Sequence, residues 1–97
     1  MIPVKRLEIV VDGLQSERVT ELLAKRGLTG WTMLRGASGT GDRGVQPSDG
    51  IARGTSNSLI LTTCEPEQLE GVIEELRELL SRYGGMCLVS DAHWLRH

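Results

Sequence analysis

Apolar and polar positions alternate from Val4 to Asp12. Leu7, Ile9 and Val11 share one face, and Arg6 and Glu8 share the other with Val10. This period of two predicts a strand that ends at the Asp12-Gly13 turn. The period then lengthens. Ser16 caps a predicted helix whose first turn carries Glu17, with Val19, Leu22 and Leu23 as its apolar stripe, and Gly27 is placed to end it. Leu28 to Arg35, with Trp31, Met33 and Leu34, predicts a second strand, and Ser58 to Cys64 a third. Pro66 fits the first position of a second helix. Its stripe is the clearest in the chain, running Leu69, Val72, Ile73, Leu76, Leu79, Leu80 and Tyr83 at spacings of three and four. Gly84-Gly85 stops it. Met86 to Ser90 predicts a fourth strand, with Asp91 to His97 as a tail.

The order βαββαβ predicts one α+β domain over residues 1–97, the ferredoxin-like arrangement. Two helices cover one face of a four-stranded antiparallel sheet. The other face, with Val4 and Val10 among its residues, has nothing in the chain to cover it. A second copy is the simplest cover. At 97 residues the chain is one domain. A chain this short buries too little surface to be more than marginal alone.

One segment fits no regular element. From Gly36 to Thr55, six of twenty residues are glycine, so a long loop is expected between the second and third strands, mobile without ligand. Gly39-Thr40-Gly41-Asp42-Arg43-Gly44 spells G-x-G-x-x-G. A dinucleotide fingerprint would need a helix to start there, and Val45-Gln46-Pro47-Ser48 is loop. No Lys-Ser/Thr pair makes it a Walker A loop. Two readings stay open. Glycines let backbone N–H groups approach an anion, and Arg43 adds a charged fork. The other reading is a solvated, flexible loop.

Composition narrows the function. The net charge is −2, and basic residues are scattered without interleaved aromatics, so nucleic-acid binding is not expected. Met1 to Arg6 does not read as a signal peptide, and no apolar run is long enough for a membrane span. A cytoplasmic setting is the resulting expectation. Cys64 and Cys87 lack zinc-type spacing, and they would form a metal set with His93 and His97 only if subunits brought them together. Charged residues on both helices read as solvated faces. No nucleophile–base arrangement suggests catalysis, so no enzyme activity is expected.

At Gly27-Leu28-Thr29-Gly30-Trp31-Thr32-Met33 the sequence resembles the PII signal-transduction superfamily, whose members carry a similar stretch leading into a long T-loop. Gly39-Thr40-Gly41-Asp42-Arg43 and Tyr83-Gly84-Gly85-Met86-Cys87 look like the PII-like branch linked to bicarbonate transport and carboxysomes. The resemblance spans nearly the whole chain. It implies a homotrimeric regulator with adenine-nucleotide sites in clefts between subunits, acting through a T-loop at about residues 36–55. Carried over by position, Gly30 and Thr32 line the adenine side. Gly39, Gly41 and Arg43 hold phosphates, and Gly39, Thr40, Gly41 and Arg43 are candidates for a second anion such as bicarbonate. Gly85 and Met86 approach the nucleotide from the B-loop, and Arg96 reaches in from the tail.

The chain also departs from the family pattern. Met86 stands where a phosphate-binding Lys would follow the glycine, so ADP or AMP is favoured over ATP, with cyclic AMP a further ligand to test. The loop holds no Tyr, so control by uridylylation is not expected. No cofactor is implied beyond these ligands. The implied partner is a bicarbonate transporter or another protein of inorganic carbon metabolism. Two other readings share the fold class: a trimeric metal-binding protein of the CutA type, and a ligand-binding module of the ACT kind. The long glycine loop is not expected in either.

Overall fold

The first strand runs through the middle of the sheet. In this computed structural model, which describes residues 1–39 and 56–97, β1 (Ile2–Asp12) has a neighbour on each side. The elements that follow are a 3-10 turn (Gly13–Gln15), α1 (Ser16–Lys25), β2 (Trp31–Ala37), β3 (Asn57–Cys64), α2 (Pro66–Tyr83) and β4 (Met86–Trp94). The sheet order is β2-β3-β1-β4 with every pairing antiparallel. This is the ferredoxin-like arrangement that the periodicities predict.

The strand pleat sorts the residues. Leu7, Ile9 and Val11 of β1 and Ile60 of β3 are fully buried with Val19 and Leu23 of α1 and Val72 of α2. The buried core holds no aromatic residue. On the opposite sheet face, register aligns Leu34, Leu59, Val10 and Met86, and beside them Leu61, Glu8 and Leu88. Leu34, Leu61, Met86 and Leu88 are exposed there. Arg6 and Glu8 pair with each other at 3.1 Å in the middle of this face.

Several boundaries differ from the sequence expectation. β1 starts at Ile2 and β4 runs on to Trp94, because Ile2, Pro3 and Val4 find partners in Trp94, His93 and Ala92. Residues 91–94 are therefore strand, not tail. Pro3 is tolerated because β1 is paired only on the β4 side until Lys5 meets Cys64. β2 starts at Trp31, not Leu28. Gly27, at φ +86°, donates to Ala24 O, and Leu28 donates to Leu23 O, which together close a Schellman turn. Leu28 is thereby carried into the core. β2 also outlasts Arg35 by two residues, with a bulge at Gly36. Of the loop expected over 36–55, residues 40–55 lie outside the described residues, and so does the expectation of its mobility.

Ser16 is not the helix cap. Asp12 accepts from Leu14 N at 2.9 Å and caps the 3-10 turn, while the Ser16 hydroxyl meets Gly13 O and Ser58 Oγ at 2.9 and 2.8 Å. α2 begins with a Glu65–Gln68 capping box ahead of Pro66. The helices are tied by Glu75, which pairs with Arg26 at 2.5 Å and Lys25 at 3.5 Å. The Arg26 hydrogen bond is the main reason the Glu75 carboxyl sits below its usual range. Gly71 makes room for this contact, since a Cβ there would stand 2.7 Å from Arg26 Nη1.

Gly85 tests the turn into β4. Its φ is +116°, and a Cβ would stand 2.5 Å from Val10 O. Gly85→Ala should therefore lower stability by more than about 1 kcal/mol, read as a fall in the urea midpoint. Gly30→Ala, where a Cβ meets nothing within 4 Å, should stay within about 0.5 kcal/mol. Equal midpoints for the two variants would contradict the geometry at Gly85.

Candidate functional site

A cleft of about 540 Å³ opens at the end of the sheet where β2 begins and β4 finishes. Its walls follow from the local structure just described. The Schellman turn delivers Thr29 and Gly30 to the start of β2, and Thr62 Oγ1 donates to Gly30 O at 2.7 Å, which pins the peptide ahead of Trp31. Trp94 Nε1 donates to Thr63 Oγ1 at 3.2 Å. Trp94 lies on β4 and Thr63 on β3, so this indole reaches across β1 between them. Arg6 lines the cleft from β1, and Gln68 lines it from the first turn of α2.

The volume suits a mononucleotide-sized ligand. The lining offers indole faces, threonine hydroxyls, one amide and one cation. Among the described residues that line the cleft, Arg6 is the one titratable group.

The residues expected from the sequence divide between two ends of the sheet. Gly30 and Thr32 line the cleft. Arg96 lies two residues beyond Trp94 at the same end, exposed. Gly39 follows Ala37, which pairs with Asn57 opposite Asp12, and Met86 pairs with Val10. Gly39, Gly85 and Met86 thus belong to the far end. The five residue steps of strand from Thr32 to Ala37 span roughly 16 Å. Edges β2 and β4 stand three strand spacings apart, about 14 Å. One chain does not gather these residues into one pocket. Thr40, Gly41 and Arg43 lie outside the described residues.

Sequence reasoning missed Arg6, Leu61, Gln68 and Trp94 as cleft residues. Arg6 carried little signal, because with Glu8 it reads as the ordinary polar side of an alternating strand. Trp94 carried none, because its segment reads as tail until its pairing with Ile2 is known.

The metal-ligand candidates are spread out. Cys64 pairs at the level of Lys5 and Cys87 at the level of Ile9, two strands apart. Among the described residues no three His, Cys, Asp or Glu side chains form a group that could hold a metal. The groove between α1 and α2 is lined by Arg18, Glu21, Lys25, Glu75, Glu78 and Arg82. Its charges alternate in sign, and Arg18 stacks on Tyr83 at 4.8 Å.

The family model for nitrogen regulatory protein P-II matches residues 4–97. No curated protein sequence matches the chain. Among solved structures, CPII of Thiomonas intermedia K12 bound to ADP, AMP and acetate superposes with a TM-score of 0.83 at 24% identity, covering 98% of this chain and 91% of that one. CPII bound to ADP and bicarbonate gives 0.80 at 26%, covering 97% and 90%. The Bacillus subtilis GlnK–ATP complex gives 0.63 at 19%, covering 93% and 84%.

The thiols provide a check on burial. Desolvation pushes Cys87 up to about 11, and it raises Cys64 against the opposing pull of Lys5. Both thiols stay protonated at pH 8, where only ~0.1% of a thiol at 11 is thiolate. The native protein should react with Ellman's reagent far more slowly than the urea-unfolded chain. Equal rates would mean that the thiols are not buried as described.

Proposed function

The chain belongs to the nitrogen regulatory protein P-II family, and from that premise we propose that it is a homotrimeric, non-enzymatic signalling protein that binds ADP or AMP between its subunits, with bicarbonate as a second ligand. The observation that carries this reading is the division of the candidate residues between the two ends of the sheet. Gly30 and Thr32 form the base-side half of a site on one subunit. Gly39, Gly41, Arg43, Gly85 and Met86 form the phosphate-side half on its neighbour, and Thr40 joins Gly39, Gly41 and Arg43 around a second anion. Arg96 adds a cation from the segment beyond β4.

Two further observations support the reading. The sheet face opposite the helices exposes Leu34, Leu61, Met86 and Leu88, and a trimer would bury such a face. A structural relative at 26% identity binds ADP and bicarbonate. Met86 puts no cation where a third phosphate would need one, which favours ADP and AMP over ATP. The proposed output is control, through the 36–55 loop, of a partner in inorganic carbon metabolism such as a bicarbonate transporter. The proposed setting is the cytoplasm. No helix among the described residues is long and apolar enough to cross a membrane. Among the described residues, the metal-binding alternative has no grouped ligands in its favour.

The test is calorimetric titration with ADP, AMP, ATP and cyclic AMP, with and without bicarbonate, beside light scattering for assembly. One nucleotide should bind, with bicarbonate tightening it and a mass of three chains. Arg43→Glu should abolish nucleotide binding and leave the trimer intact. Unchanged affinity in that variant, or no nucleotide bound at all, would sink the assignment.

A further inference from the structure

Both tryptophans of the chain line the same cleft. Trp31 is 43% exposed and Trp94 55% exposed. The core uses neither, although each is the largest apolar side chain available to a protein that has no Phe. The geometry points to Trp94 as the floor on which a purine ring stacks, Trp31 as the adjoining wall, and Arg6 as the cation facing the charged side of the nucleotide. This rests on the nucleotide reading above and adds three residues to which the family resemblance assigns no role.

The hydrogen bond from Trp94 Nε1 to Thr63 Oγ1 uses the edge of the indole. It leaves the π faces unspent and fixes the ring across β1 before any ligand arrives. A ring already held loses little side-chain entropy on stacking, which favours affinity. At the other edge of the sheet, the bond of Thr62 to Gly30 O holds the backbone just ahead of Trp31. Arg6 is paired with Glu8 at 3.1 Å, yet its side chain stays 43% exposed, so its remaining N–H donors are free to meet an anion. The hydroxyls of Thr29 and Thr32 and the amide of Gln68 line the same space and offer hydrogen bonds to the ring edge and ribose. A bicyclic base covers more of an indole face than a monocyclic one, so the arrangement favours purine over pyrimidine.

The experiment pairs intrinsic fluorescence with calorimetry on the wild-type protein and single variants, using ADP, AMP and CDP as probes. Circular dichroism and assembly mass serve as controls for folding. ADP should quench the emission of the wild type. Trp94→Leu should weaken ADP binding about tenfold or more, the loss of one stacking platform. Trp94→Phe keeps an aromatic face and loses the bond to Thr63, so it should recover affinity to within roughly threefold. If the bond rather than the ring mattered, Phe would fail as Leu does, and that result would overturn the stacking role. Arg6→Gln should weaken ADP more than adenosine, and CDP should bind less tightly than ADP. If calorimetry shows ADP bound while Trp31→Leu and Trp94→Leu keep wild-type affinity and emission is unmoved, this inference fails and the nucleotide reading stands. Absence of any nucleotide binding overturns both.

Discussion

The structure hangs on β1 being paired on both sides. Its register with β3 and with β4 fixes which way every other strand's side chains point, because a slip of one residue would turn the whole set over. With that register Leu7, Ile9 and Val11 meet the helices, and Arg6, Glu8 and Val10 face away. The ends of β1 matter as much as its middle. At its start, pairing with β4 alone draws residues 91–94 into the sheet and sets Trp94 above the cleft. At its finish, Asp12 caps the 3-10 turn that hands the chain to α1. A side chain at Gly85 would collide with the Val10 carbonyl, so the turn into β4 is moulded on β1 as well.

What was legible in the sequence was what periodicity encodes. Helices with stripes such as Leu69-Val72-Ile73-Leu76 and a strand such as Leu7-Ile9-Val11 declare themselves locally. Boundaries set by a partner far along the chain do not. Ala92, His93 and Trp94 have no strand-like pattern of their own, and only Val4, Pro3 and Ile2 opposite them make them strand. Ser16 shows the same limit. Its position looks like a cap, but its hydroxyl is taken by Ser58, 42 residues away. The candidate site was half legible. Gly30 and Thr32 stand in a contiguous motif, whereas Arg6, Leu61 and Trp94 come from three strands that only the sheet brings together.

The division of the site has an energetic consequence. A ligand that touches both ends of the sheet on different subunits binds the assembled state and not the separate chains. By mass action it then stabilises the assembly by an amount set by its concentration relative to its dissociation constant. In the proposed trimer, a 97-residue chain with an aliphatic core and one open apolar face would gain from that coupling, since its own burial is limited. In the trimer proposed above, ligand binding and assembly would be linked, so that neither could change without shifting the other.

The placement of the aromatics bears on how that linkage is built. All three lie outside the fully buried core: Tyr83 beneath the Arg18 guanidinium on the helix side, and the two tryptophans at the cleft. Aliphatic side chains alone pack the space between sheet and helices. Nothing about the helix–sheet core therefore needs Trp31 or Trp94, and a substitution at either changes the cleft more than the scaffold. The Arg6–Glu8 pair sharpens the same separation. Two charges on a sheet face that also carries Leu34, Leu61, Met86 and Leu88 cost desolvation when that face is covered, and they offset it only by pairing with each other or with a ligand. Glu8 meets the first condition, and the exposed remainder of Arg6 is available for the second. Leu7, Ile9 and Val11 thus serve the scaffold from one face of β1, while Arg6 lines the cleft from the other.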